Sequence, residues 1–234
     1  MTTVPSTARY RPMNFGVTRV NLREGAPGVR YLQADLPLGA FARRVTDYLV
    51  HWAEATPDHS FLARREQLGT GKPLQTGDWQ HVSYAQALDA ARSIGQALLN
   101  RGLNAERPVV VLSENTIEHA LLALGCIYAG VPYCPVSPAY ATVSQDYDKL
   151  RHVIATLTPG LVFAADGARY GKAIEATVGA DVEVVLAQGS IEGRATLAFD
   201  RLKATPATPA VDAAMHATGP GTIVKFLFTS GSTK

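Results

Sequence analysis

Residues 108–136 read PVVVLSENTIEHALLALGCIYAGVPYCPV. Pro108 to Leu112 is apolar without a break, the pattern of a parallel strand covered on both faces. Asn115, with Glu118 three positions on, sets the start of a helix over Thr116 to Ala129. Gly130 supplies its left-handed stop. That helix is apolar nearly all round, so it must lie deep in the molecule. Val131 to Val136 then extends again. A strand, a buried helix and a second strand make one unit of an α/β fold.

The same alternation continues on both sides. Upstream, Ser83 caps a helix and Gln86 closes the capping box. Tyr84, Leu88, Ala91, Gly95 and Leu98 form its apolar face, and Gly102 ends it. Before that, Leu38, Phe41, Val45, Leu49 and Trp52 recur at three or four residues and predict a helix from Leu38, stopped at Thr56-Pro57-Asp58. Phe61 to Arg65 reads as a short strand, and Gln67 to Asp78, with Gly69, Gly71, Pro73 and Gly77, as a surface loop. Downstream, Ser144 opens a helix with Asp146 and Asp148 in its positive first turn. Leu161–Ala165, Val182–Ala187 and Ile223–Phe228 are three further strands, a helix at Tyr170–Val178 separating the first two. Thr205 to Gly221 reads as a loop with one short helix. The expected fold is therefore α/β, with a doubly wound, mainly parallel sheet. Pro5, Pro12, Pro27 and Pro37 break residues 1–37 into an arm packed on a body spanning residues 38–234.

Composition excludes several function classes. The chain has 234 residues, 47% hydrophobic and 18% charged, which is incompatible with disorder or a solvated coiled coil. Twenty-two Lys plus Arg against 20 Asp plus Glu leave a net charge of +2. The Arg43–Arg44 and Arg64–Arg65 pairs are too small to be patches, so neither nucleic acid nor a membrane surface is an expected partner. The apolar run Ala120–Val136 is broken by Gly125, Gly130, Pro132 and Pro135 and cannot span a bilayer. The first 20 residues carry Arg9, Arg11 and Arg19 without a continuous apolar stretch, so no signal peptide is read there and a cytoplasmic location is expected. Cys126 and Cys134 sit in no CxxC and read as small buried hydrophobes in a reducing compartment. A homodimer is compatible with all of this.

The chemistry concentrates at Lys225-Phe-Leu-Phe-Thr229-Ser230-Gly231-Ser232-Thr233-Lys234. An apolar strand runs into four hydroxyl residues around one glycine, followed by a cation. Ligands of open α/β sheets bind at the carboxyl ends of strands. There, exposed backbone N–H groups and short hydroxyls can hold phosphate oxygens, Gly231 permits close approach, and Lys234 adds a point charge. The spacing is not a Walker A loop, not G-x-G-x-x-G and not the G-x-S-x-G elbow of a hydrolase. Other polar residues have simpler readings. His51, His59, His81, His119, His152 and His216 lack metal-ligand spacing. His119 fits a capped helix start, Gly69–Lys72 a solvated loop, and Tyr133, Tyr140 and Tyr147 packing.

Phe228-Thr-Ser-Gly-Ser-Thr-Lys234 resembles the phosphate-binding loop of the adenylate-forming (acyl-CoA synthetase, AMP-binding) superfamily, usually T-S-G-S-T-G followed by x-P-K-G. Lys234 stands where most of that superfamily has Gly. Val82-Ser-Tyr-Ala-Gln-Ala-Leu, Arg101-Gly-Leu, Val109-Val-Val-Leu, Glu114-Asn115 and Ala129-Gly-Val-Pro-Tyr-Cys-Pro-Val follow the order of its N-terminal domain. Ile117-Glu-His-Ala-Leu-Leu-Ala-Leu, Pro135-Val-Ser-Pro-Ala-Tyr140, Asp148-Lys-Leu and Pro159-Gly-Leu-Val-Phe-Ala are similar to feruloyl-CoA synthetases. The resemblance implies the N-terminal part of a large adenylation domain, and an enzyme that joins a carboxylic acid, ferulate or a related aromatic acid, to coenzyme A using ATP and Mg²⁺. Thr229, Ser230, Gly231, Ser232, Thr233 and Lys234 would hold the ATP phosphates. The superfamily's adenine-contacting segment, Thr-Glu magnesium motif, hinge and catalytic lysine would fall beyond residue 234, so the chain is expected to be an N-terminal fragment, inactive alone. Two other readings are a phosphate-binding module without catalysis and a hydrolase using Ser230 or Ser232, for which no His–Asp partner set is apparent.

Overall fold

The computed structural model describes residues 19–68 and 75–229. The chain divides into two compact units, residues 1–41 and 42–234. In the first, β1 (Val20–Glu24) and β2 (Arg30–Ala34) form an antiparallel hairpin with Leu22 opposite Leu32. Gly28 turns it at φ +83°, a conformation that favours glycine. Residues 1–18 of the expected arm lie outside the described residues.

The second unit runs α1 (Val45–Ala55), β3 (Ser60–Leu68), β4 (Gln75–Ser83), α2 (Tyr84–Asn100), β5 (Val109–Leu112), α3 (Ile117–Ala129), β6 (Tyr133–Val136), α4 (Ala139–Thr142), α5 (Asp148–Leu157), β7 (Leu161–Asp166), α6 (Gly167–Thr177), β8 (Glu183–Gln188), β9 (Leu197–Ala198), α7 (Asp200–Lys203) and α8 (Pro209–Ala217). Five strands form one sheet in the order β6-β5-β7-β8-β9, every pair parallel. Val109, Val110, Val111 and Leu112 are all fully buried, because the pleat sends them alternately to two cores. Val109 and Val111 join Leu98, Leu122 and Val211 on one face. Val110 and Leu112 join Leu150, Tyr170 and Ile174 on the other. The sheet is thus covered on both sides, as the uninterrupted apolar strand requires.

Local capping fixed the helix ends. Ser83 accepts the Gln86 N–H while the Gln86 side chain accepts the Ser83 N–H at 2.9 Å, and α2 starts there. Gly102 and Gly130 take the left-handed conformation at φ +64° and +69°. The cap of α3 is Thr116 rather than Asn115: its hydroxyl accepts the His119 N–H at 3.1 Å. The first helix begins at Val45, not Leu38. Arg44 closes a box there, its N–H and guanidinium both bonding the Asp47 carboxylate at 3.1 and 2.8 Å. Ser144 holds a turn instead of capping a helix: it accepts the Tyr147 N–H and donates to Asp146 at 2.7 Å, and α5 starts only at Asp148.

Two further expectations are corrected. Residues 75–78 belong to β4, which pairs antiparallel with β3, so the loop of the hairpin is shorter than the glycines implied. Ile223–Phe228 is not a ladder strand. It makes one parallel bridge, Lys225 beside Tyr133. Tyr133 N–H donates to the Val224 carbonyl at 3.2 Å, and Phe226 N–H donates to the Tyr133 carbonyl at 3.0 Å. The next donor in that register would be residue 135, a proline without an N–H, and the pairing stops. Among the described residues, no helix is long and apolar enough to cross a membrane.

A polar clasp holds α8 on α2 and α3. Asp212 accepts two bonds from Arg92, at 2.9 and 2.7 Å, and one from the Tyr128 hydroxyl at 2.8 Å. The Arg92 bonds hold the Asp212 carboxyl below the usual carboxylate range; burial, with the same carboxylate, pushes Tyr128 up to about 12. A folded-state value below the unfolded one means stability that is present above about pH 4 and is lost as pH falls through the folded value. Asp212→Asn is therefore expected to cost about 1–2 kcal/mol at pH 7, moderated because the Arg92 and Asp212 side chains are 36% and 31% exposed. The difference from wild type should shrink toward pH 3, as urea denaturation at the two pH values would report.

Candidate functional site

The carboxyl ends of the parallel strands gather the polar groups. Beyond β5, the Ser113 hydroxyl donates to the Glu114 carbonyl at 2.7 Å. The Glu114 carboxylate pairs with Arg169 and accepts the Tyr170 hydroxyl at 3.1 Å. Beyond β7, Asp166 caps α6, accepting the Ala168 and Arg169 N–H groups at 2.8 and 3.2 Å, and takes the Gln188 amide at 2.8 Å. Burial pushes the Tyr170 hydroxyl pKa up, Glu114 adding to it. These groups satisfy one another and brace the loops after β5 and β7.

His119 faces the same end. Its Nδ1 lies 3.1 Å from the Glu114 carbonyl, so Nδ1 carries the proton. Burial holds its pKa below the ordinary histidine value, the Glu114 bond opposing and nearby Lys225 reinforcing the shift. Its position in the first turn of α3 agrees with a capped helix start. Burial likewise pushes both thiols up, Cys134 to about 11, and both cysteines are free and buried. Among the described residues, no group of three His, Cys, Asp or Glu side chains could hold a metal ion.

The segment after α8 leads to the hydroxyl-rich run. Its bridge to Tyr133 sets Val224 to Phe226 beside the first residue of β6, with Lys225 Nζ 5.1 Å from the centre of the Tyr133 ring. Phe226 and Phe228 pack against the core beneath α5 and α6. Thr229 is the only member of the expected phosphate loop among the described residues; Ser230, Gly231, Ser232, Thr233 and Lys234 lie outside them, as does Gly69–Lys72.

Thr229 opens onto a cleft of about 350 Å³ lined by Tyr140, Asp148, Lys149, His152, Val153 and Phe228. Lys149 Nζ sits 5.3 Å from the centre of the Tyr140 ring. His152 meets Phe228 edge-on at 5.9 Å. The sequence alone reads Tyr140 as packing and His152 as lacking metal-ligand spacing, and it names Lys149 only within the Asp148-Lys-Leu tract, with no site role. The three-residue spacing of Lys149 and His152 on one helix was the available signal, since such residues share a face.

Comparison with known proteins gives the fold a context. A family model described as "AMP-binding enzyme" matches residues 49–233. Bacitracin synthase 1 of Bacillus licheniformis is 23% identical over 199 residues, covering 83% of this chain and 3% of that protein. VinN has the same fold with a TM-score of 0.54 at 21% identity, over 86% of this chain and 43% of its own. The fatty acyl-adenylate ligase from L. pneumophila, solved in complex with acyl adenylate and pyrophosphate, aligns with a TM-score of 0.53 at 18% identity, over 82% of this chain and 29% of its own. The chain thus spans less than half the length of each of these relatives.

Proposed function

The chain belongs to the AMP-binding enzyme family, and from that premise we propose that it is the N-terminal part of an ATP-dependent acid–CoA ligase. The carboxylate of the acid attacks the α-phosphorus of ATP, pyrophosphate leaves, and the thiol of coenzyme A displaces AMP from the acyl-adenylate. Residues 1–37 act as the arm and 38–234 as the partial adenylation domain. Ferulate or a related aromatic acid is the substrate we assign, on the tracts at Ile117 and Pro135.

The observation that carries the reading is the position of Thr229. It follows the segment bridged to Tyr133 and lines a cleft with Tyr140, four residues past the carboxyl end of β6; α/β folds bind ligands at the carboxyl ends of their strands. The six residues Thr229 to Lys234 then act electrostatically. They hold the β- and γ-phosphates and offset the charge that develops as pyrophosphate departs. Magnesium is a different matter. Among the described residues nothing clusters to bind it, so none of them is assigned to it as a ligand.

The reading is tested by incubating the complete gene product with ATP, Mg²⁺, coenzyme A and a panel of aromatic and aliphatic acids, then measuring AMP and thioester by mass spectrometry. Ferulate or a close analogue should give the fastest turnover, and the 234-residue chain alone should give none above a no-protein control. Turnover by the 234 residues alone would place a whole active site within them and overturn the partial-domain reading. A complete product that binds ATP but consumes none with any acid would favour the phosphate-binding module.

A further inference from the structure

A second cleft opens at the other end of the sheet, where the strands begin. It measures about 430 Å³ and lies at the loops that lead into β7 and β8, within the size range of small-ligand sites. Arg107, just before β5, and Asp181, just before β8, both line it. Because β7 lies between β5 and β8, the two charges flank the Pro159-Gly160 loop. Among the described residues, neither is in an ion pair, so they stand too far apart to pair with each other. Each is seated on a glycine. A Cβ at Gly160 would lie 3.3 Å from the Arg107 Cβ and Nε, and one at Gly179 would lie 2.5 Å from the Asp181 Oδ1. The neighbouring arginines are spent on bracing. Arg194 donates to the Val178, Gly179 and Val182 carbonyls at 2.9, 2.6 and 2.9 Å, fixing the loop that carries Asp181. Arg101 is taken by Glu183 and the Ala97 carbonyl. At the rim, Thr158 is held at φ +43°, a conformation that a β-branched residue rarely adopts and that recurs at ligand clamps.

We propose that this cleft is a binding site for a small zwitterion, a free aliphatic amino acid, whose carboxylate pairs with Arg107 and whose ammonium pairs with Asp181. The charges choose the class. A simple anion drawn to Arg107 meets the field of Asp181, and a simple cation meets that of Arg107; a molecule carrying both signs gains from both. The guanidinium fork matches a carboxylate, and the carboxylate of Asp181 accepts from an ammonium. Ile154, Pro159 and Val182 give the body of the ligand an apolar surface. The site lies at the end of the sheet opposite Glu114 and Asp166, so it is independent of the phosphate reading, and a ligand there acts as an effector rather than a reactant. No bond is made or broken.

The test is calorimetric titration of L-leucine into the purified 234-residue chain, with leucinamide, which lacks the carboxylate, and N-acetyl-L-leucine, which lacks the ammonium, as paired probes. Leucine should saturate the site at millimolar concentration or below, and each analogue should bind about tenfold more weakly, as loss of one charge-assisted bond predicts. Arg107→Gln should weaken leucine by a similar factor and leave leucinamide unchanged. Asp181→Asn should weaken leucine and leave N-acetyl-L-leucine unchanged. Both side chains belong to exposed residues, so the variants should melt as wild type does, and loss of fold cannot produce that crossed pattern. Amide resonances of Gly160 and Asp181 should shift with leucine. Equal affinity for leucine and both analogues, or a variant that loses all three ligands alike, overturns the proposal. So do shifts confined to Lys149 and Thr229 at the other cleft, or the failure of leucine, isoleucine and valine alike to saturate at millimolar concentration.

Discussion

Leu121→Asp is expected to leave almost no soluble, folded protein. Leu121 is 5% exposed in the first core, on a helix whose thirteen residues include none that is fully exposed. A carboxylate placed there has no cationic partner and loses its hydration. Leaving one charge buried and unpaired costs roughly 3–5 kcal/mol, against a total stability of about 5–15 kcal/mol for a typical domain. Leu121→Met keeps volume and polarity and should cost less than about 1.5 kcal/mol. Soluble yield and the circular-dichroism melt of the two variants would decide the point. A Leu121→Asp protein that melts like wild type would mean that α3 is not packed as described.

Gly125→Val should be nearly as damaging, for a steric reason. The helices α2 and α3 cross where Gly95 meets Gly125. A Cβ added at Gly125 would lie 2.5 and 2.7 Å from the Cγ2 and Cβ of Ile94, and 3.2 Å from the Gly95 nitrogen. Ile94 is fully buried and β-branched, so it has little rotamer freedom with which to retreat. Overpacking of this kind costs about 1–3 kcal/mol, sometimes more, and a branched side chain belongs at the upper end. Gly221→Ala is the matched control: nothing lies within 4 Å of the added atom. Urea denaturation should show a large drop in midpoint for the first and little change for the second.

What could be read from the sequence was what is decided locally. The box at Ser83 and Gln86 spans three residues, and the strand Val109–Leu112 announces its own burial by composition. The errors fall where the outcome depends on a distant partner. Whether Gln75–Ser83 becomes a strand depends on β3, and the glycines near it argue locally for a loop. Whether Ile223–Phe228 joins the sheet depends on Pro135, almost ninety positions earlier, which has no N–H to offer it. The candidate site divides the same way. The hydroxyl-rich run at Thr229 is visible as a string of residue types. The cleft that faces it is not, because folding alone brings Lys149 and His152 on α5 beside Phe228 and Thr229.

The most direct test of the central claim is acid-dependent exchange of labelled pyrophosphate into ATP by the complete gene product. Exchange reports formation of the acyl-adenylate without coenzyme A, so it isolates the step in which Thr229 to Lys234 are assigned a role. Label should enter ATP only when an acid is supplied, and most rapidly with ferulate or a close analogue. A Ser232→Ala, Lys234→Gln double variant should exchange at a small fraction of the wild-type rate while melting at the same temperature. Wild-type protein that binds ATP yet exchanges no label with any acid, or a double variant as fast as wild type, would contradict the account.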